Sequence, residues 1–106
     1  MITWYSKDVG DGMTSFQPTQ RLHELFVALH VKMGSRTDRV GVFSRHDLRS
    51  NRVTFYFSPE ASVLADAFAA TPCEKPSIED LVLSVGHADA FRTHFPGEVP
   101  HRSRSF

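Results

Sequence analysis

Hydrophobic and polar residues alternate near the middle of the chain, and this alternation is its clearest structural signal. Val53, Phe55 and Phe57 are separated by single residues of lower hydrophobicity, which is the period of a strand with one buried face. A run of similar character, 39–46, precedes them, and Asp47, Arg49, Ser50 and Asn51 between the two runs favour a turn. The pattern therefore predicts a β-hairpin.

A helix is predicted directly after the hairpin. Ser58 is a favourable N-cap residue, Pro59 is tolerated at the first helical position, and Glu60 suits the positive end of the helix dipole. We expect Val63, Leu64, Ala67 and Phe68 to form the buried face of this helix. Pro72 ends it, because the residue before a proline avoids helical geometry.

The apolar residues between Pro18 and Gly34 recur at steps of three and four, the pattern of an amphipathic helix. Its stripe consists of Leu22, Leu25, Phe26, Leu29 and Met33. The segment before it, 2–7, is rich in β-branched and aromatic residues and predicts a strand. We expect Phe26, Phe55, Phe57 and Phe68 to share one core.

The second half of the chain carries weaker signals. Residues 81–85 form a short apolar run that predicts a strand, although Ser77 could instead cap a helix. Residues 87–95 predict one further short helix. The polar segment 96–106 predicts a loosely ordered tail, so that 1–95 form a single domain.

The resulting order, β-α-β-β-α-β, predicts a ferredoxin-like split βαβ fold of the α+β class. Such a fold has a four-stranded antiparallel sheet with two helices on one face and the other face open. Strand alternation places Tyr56 on the open face, together with Phe43 and one of Trp4 or Tyr5. An aromatic face of this kind needs a cover. We therefore expect a homodimer with Tyr5, Phe43 and Tyr56 in its interface.

Composition restricts the class of partner. The 12 basic and 12 acidic residues cancel, which disfavours nucleic acid as a partner. The third predicted strand also lacks the glycines that RNA-binding domains with such a sheet place between their aromatic residues. Cys73 is the single cysteine, and no apolar run approaches the roughly 20 residues of a membrane span. We expect a cytoplasmic protein that contacts no membrane.

Arginine is concentrated in the predicted hairpin, which makes this region the candidate ligand-binding site. The candidate residues are Arg45, His46, Arg49, Arg52 and Tyr56. The fold plan brings the glycine-containing loop 8–12 close to them, and arginines together with helix-start amides favour a small anionic ligand. The alternative is that Asp8 and Asp11 in that loop form salt bridges with the arginines.

Histidines offer weaker candidate chemistry. His46 beside Asp47, and His87 near Asp89, could each act as a general acid or base. His23 and His30 are seven residues apart, whereas metal pairs on helices prefer steps of three or four. No pattern predicts a metal site or a cofactor.

Two hypotheses of function follow, and the sequence leaves open whether the protein is an enzyme. The first is a small binding or interaction protein that self-associates through the open sheet face. The alternative is a small enzyme or small-molecule-binding protein of the dimeric α/β-barrel type. Its site would lie at the open sheet face and the hairpin from Arg45 to Arg52.

Overall fold

The computed structural model describes residues 3–34, 39–87 and 89–97, and in these residues the chain forms one antiparallel sheet with helices on both faces. The elements are β1 Trp4–Asp11, α1 Phe16–Met33, β2 Gly41–Asp47, β3 Arg52–Phe57, α2 Ser62–Ala67, β4 Thr71–Cys73, β5 Val82–Gly86 and α3 Ala90–His94. A 3-10 turn, Pro59–Ala61, connects β3 to α2. The strand order is β4-β1-β3-β2-β5.

The prediction of a four-stranded ferredoxin-like sheet is wrong, because the sheet has five strands. The run predicted at 81–85 does form a strand, β5, and it pairs with β2 at one edge. An unpredicted strand, β4, pairs with β1 at the other edge. Pro72 lies within β4 and had indicated only the end of a helix. Proline is tolerated in an edge strand, where its missing N–H removes no ladder bond.

The predicted hairpin is confirmed as β2 and β3. The two strands pair from Val42 opposite Phe57 to Asp47 opposite Arg52. Asn51 in the turn has a φ of 55°, a left-handed conformation that asparagine tolerates better than most residues. The hairpin thus forms the centre of the sheet, with β1 beside β3 and β5 beside β2.

One face of the sheet packs against α1 and α2. Phe55, Phe57 and Phe68 form an aromatic triangle with ring centroids 5.8 to 6.2 Å apart, and Phe26 packs at its margin. The predicted shared core is confirmed for Phe55, Phe57 and Phe68, with Phe26 partly buried against it. The predicted burial of Val63 on α2 is wrong, because that residue is 63% exposed. Tyr5, predicted for the opposite face, also packs against this core.

The other face of the sheet is covered, so the prediction of an open face is wrong. Phe43 has 0% of its surface exposed, and the rings of Phe91, His94 and Phe95 lie 5.2 to 6.0 Å from its ring. Trp4 belongs to the same cluster. The predicted helix at 87–95 exists as α3. It contributes Ala90, Phe91 and His94 to this cluster, and Phe95 follows directly after it. A helix of five residues is too short to show from periodicity which surface it packs on.

Ser58 does not cap a helix, contrary to the prediction. Its side chain makes no cap hydrogen bond and is fully buried. The hydroxyl oxygen instead accepts a hydrogen bond of 3.2 Å from the amide of Gly41, at the start of β2. Ser58 therefore joins the end of β3 to the start of β2.

Two further observations concern the predicted tail and the length of the helices. Most of the predicted tail, 98–106, lies outside the described residues. Among the helices that the structure does describe, none combines the length and the apolar character needed to cross a membrane.

Substitutions on the two faces test whether both are packed. We expect Phe43→Ala and Phe55→Ala to lower the free energy of unfolding by about 3–5 kcal/mol each, since each removes a fully buried ring. Val31→Ala is the control, because Val31 is 79% exposed, and its effect should stay within about 0.5 kcal/mol. Urea unfolding measures all three. A cost below about 1 kcal/mol for Phe43→Ala alone would show that α3 does not pack on the sheet.

Candidate functional site

Arg45, one of the predicted ligand-binding residues, contacts the chain itself. Its Nε donates to the carbonyl of Glu79 at 3.1 Å, and its Nη2 donates to the carbonyl and the hydroxyl of Ser77. The guanidinium lies over the ring of Tyr56, 5.3 Å from the centroid. Arg45 and Tyr56 therefore hold the loop that leads into β5.

Arg52 is occupied by an ion pair with Asp8, whose Oδ1 lies 2.8 Å from its Nη2. The hydrogen bond from Arg52 lowers the pKa of Asp8 below its usual 3.8, and the amide of Gly10 adds to this shift. The same pairing raises the pKa of Arg52. The alternative predicted from sequence, a salt bridge between Asp8 and the hairpin arginines, is thus what the structure shows for Arg52.

The amides before α1 are also occupied, by the carboxylate of Asp11. Its Oδ1 accepts hydrogen bonds from the amides of Thr14 at 2.7 Å and Met13 at 2.9 Å. The amide of Thr14 is the first cause of the lowered pKa of Asp11. The position predicted for an external anion therefore already holds a negative charge from the chain.

The other candidates from the sequence are spread over the surface. The Nε2 of His46 lies 2.7 Å from the side-chain oxygen of Asn51, and Arg49 is exposed. His87 and Asp89 approach to 3.8 Å, with both side chains about half exposed. The structure does not bring these groups together around one concave surface.

A cleft that sequence reasoning missed lies between the start of β1, β4, the turn after β3, and α3. Its volume is about 610 Å³, within the roughly 300–1,000 Å³ range of small-molecule sites. Apolar side chains form much of its wall, including Trp4, Pro59 and Cys73. Charged or titratable groups reach the same space from four separate parts of the chain. They are Arg39, Glu60, the neighbouring pair Glu74 and Lys75, and His94.

His94 is the buried polar group of the cleft, with 8% of its surface exposed. Its Nε2 lies 2.9 Å from the carbonyl oxygen of Arg39. A carbonyl can only accept, so Nε2 carries the proton and donates. The ring stands edge-on to Trp4, with centroids 5.4 Å apart. These contacts fix the end of α3 against the start of β1.

Glu60 lies at the mouth of the cleft with partners at longer distance. Its Oε2 is 3.6 Å from Nε of Arg39, and its Oε1 is 3.7 Å from Nε2 of His94. Both separations exceed those of hydrogen bonds, which for N–H···O are about 2.7–3.2 Å. The carboxylate oxygens therefore keep acceptor capacity for a ligand.

Lys75 supplies a second cation to the lining of the cleft. Its ammonium donates to the carbonyl of His94 and lies 4.7 Å from the centroid of the Phe95 ring. An ammonium has three donors, so donors remain beyond the one used by His94. The cleft thus presents an apolar wall with both signs of charge at its rim.

No short motif could have revealed this cleft, because its groups are far apart along the chain. Arg39 precedes β2, Glu60 follows β3, Lys75 follows β4, and His94 ends α3. The unpredicted strand β4 is what carries Cys73 and Lys75 to the edge of β1.

Two further findings bear on the chemistry of the site. Among the described residues, no group of three or more histidine, cysteine or acidic side chains could hold a metal ion. Comparison with protein-family models, with curated proteins and with solved structures finds no significant match to this chain.

The ion pair at the hairpin gives a pH prediction. Arg52→Gln should raise the pKa of Asp8 toward 3.8, because it removes the first cause of the lowered value. A lowered folded-state pKa contributes stability above the unfolded-state pKa and loses it as pH falls through the folded-state pKa. The free energy of unfolding should therefore fall less steeply in the variant below about pH 4.

Carboxyl chemical shifts measured by NMR against pH test this directly. Arg49→Gln is the matched control, since only the backbone amide of Arg49 contacts a carboxylate, that of Asp47. An Asp8 pKa that stays the same in the Arg52 variant would contradict the ion pair.

Proposed function

We propose that this protein binds a small amphipathic molecule in the cleft between β1, β4 and α3. The observation that carries the proposal is the convergence of Arg39, Glu60 and Lys75 at the mouth of a pocket walled by Trp4 and Cys73. Apolar concave surfaces with a few converging polar groups are the usual form of small-molecule sites. The proposal retains a binding role and moves it from the sheet face to the cleft.

The distances around the cleft indicate the chemistry of the ligand. An apolar body would lie along the wall that Trp4, Pro59 and Cys73 form. Trp4 is 4% exposed there and is held by Phe43 and Phe95. A donor such as an amide or amine N–H would reach Glu60, whose oxygens make no contact shorter than 3.6 Å with Arg39 or His94. A ligand acceptor would accept a hydrogen bond from Arg39, 64% of whose side chain is exposed.

The contacts of His94 support a structural task for its imidazole. Its Nε2 donates a hydrogen bond to the backbone carbonyl of Arg39, and the side chain is buried. The imidazole therefore holds α3 beside the cleft.

Two expectations from the sequence remain predictions. Self-association through the sheet face is one, and the burial of Phe43 under α3 counts against it. The cytoplasmic location expected from the single cysteine is the other.

Trp4 makes the proposal testable, because it is the only tryptophan of the chain and lines the cleft. A set of small aromatic amides and amines should be titrated while the fluorescence of Trp4 is recorded. We expect saturable emission changes for at least one compound. Glu60→Gln should weaken that compound about tenfold or more, since hydrogen bonds to charged groups contribute about 1.5–3 kcal/mol.

Glu79→Gln is the matched control for this titration. The side chain of Glu79 is exposed, and the contact that it makes with Arg45 uses only its backbone carbonyl. Affinity should therefore be unchanged. Equal affinities in the wild type, the Glu60 variant and the control would contradict the proposal, as would a set of compounds none of which alters the emission of Trp4.

A further inference from the structure

A second concave surface lies on the face of the sheet that carries α1 and α2, and it is independent of the cleft. This groove of about 600 Å³ is bordered by β1, the first turns of α1 and the turn after α2. Its apolar floor includes Val9, Pro18 and Phe68, and its polar groups include Lys7, Gln17 and Arg21.

The charge of the groove is positive. Lys7 and Arg21 each contribute a cation. Asp8 is the one acidic residue that borders the groove within the described part of the chain, and its carboxylate is held by Arg52 at 2.8 Å. Lys7 also lies close enough to Asp8 to contribute to the lowered pKa of that carboxyl. The lining residues Lys7, Arg21 and Asp8 therefore leave the groove one net positive charge.

Arg21 is held in a position that suits recognition of an anion. Its guanidinium carbon lies 5.2 Å from the centroid of the Phe68 ring, and Phe68 is fixed in the core by Phe55 and Phe57. Among the described residues this ring is the one electrostatic contact of the guanidinium, so its five N–H donors form no hydrogen bond there. The in-plane donors stay available for two parallel hydrogen bonds to a carboxylate or phosphate.

We propose that this groove binds an anionic group, a carboxylate or a phosphate monoester, attached to a small apolar body. Arg21 would bind the oxygens, Lys7 would add a second positive charge, and the apolar body would lie on Val9 and Phe68. The assignment does not depend on the cleft near Trp4, which is lined by different residues.

Amide chemical shifts measured by NMR test the proposal on the full chain. The probes are phenyl phosphate and phenylacetate, with benzyl alcohol as the uncharged analogue and inorganic phosphate as the anion without an apolar body. We expect at least one of the two phenyl anions to shift the amides of 7–9 and 67–69. Benzyl alcohol and inorganic phosphate should each bind at least about tenfold more weakly than that phenyl anion. The tighter of the two phenyl anions identifies the anionic group.

Variants of the two helix cations separate a site from general charge attraction. Arg21→Gln should weaken binding about tenfold, and Arg21→Lys should retain part of the affinity because it keeps the charge without the planar fork. Lys32→Gln removes an exposed cation from the last turn of the same helix and should change nothing.

Three results would overturn the proposal. They are binding of benzyl alcohol as tight as that of the anions, inorganic phosphate as tight as phenyl phosphate, or equal losses in the Arg21→Gln and Lys32→Gln variants. A native spectrum of Arg21→Gln without ligand shows that the variant is folded. None of these results depends on the emission of Trp4, so failure of the groove and failure of the cleft are distinguishable.

Discussion

The packing of α3 against Phe43 and Trp4 is the contact on which the rest of the structure depends. It buries the second face of the sheet, so that β2 and β1 are covered on both sides. It also brings His94 to the carbonyl of Arg39, and these two residues border the cleft. Without this contact the aromatic face would be exposed to water. Each Å² of apolar surface left exposed would lower the free energy of unfolding by roughly 25 cal/mol.

Gly86 and Arg45 allow the chain to place α3 on this face of the sheet. Gly86 ends β5 with a φ of 134°, and a Cβ there would lie 2.6 Å from the carbonyl oxygen of Val40, so only glycine fits so close to β2. Arg45 on β2 binds the carbonyls of Ser77 and Glu79, which fixes the loop before β5. Arg45, which the sequence predicted as a ligand-binding residue, thus holds this loop next to β2.

The sequence predicted what depends on local pattern and missed what depends on contacts between distant segments. The hairpin of β2 and β3 and the helix α1 formed as predicted, because strict alternation and a three-to-four step each specify one element. The strand β4 was missed, because its three residues are too few for any period. The helix α3 was predicted, but its five residues are too few to show which surface it packs on. The cleft could not be predicted for the same reason, since Glu60, Lys75 and His94 meet only after β4 and α3 are placed.

The central claim is that the second face of the sheet is closed by the same chain. Isotope-filtered NOE measurements on a mixture of labelled and unlabelled protein test it most directly. The account predicts strong intramolecular NOEs from the Phe43 ring to Phe91 and Phe95, whose ring centroids lie 5.2 and 5.5 Å away. It predicts no intermolecular NOEs to Phe43. NOEs from Phe43 that arise only between molecules, or a Phe43 ring without NOEs to α3, would contradict the account.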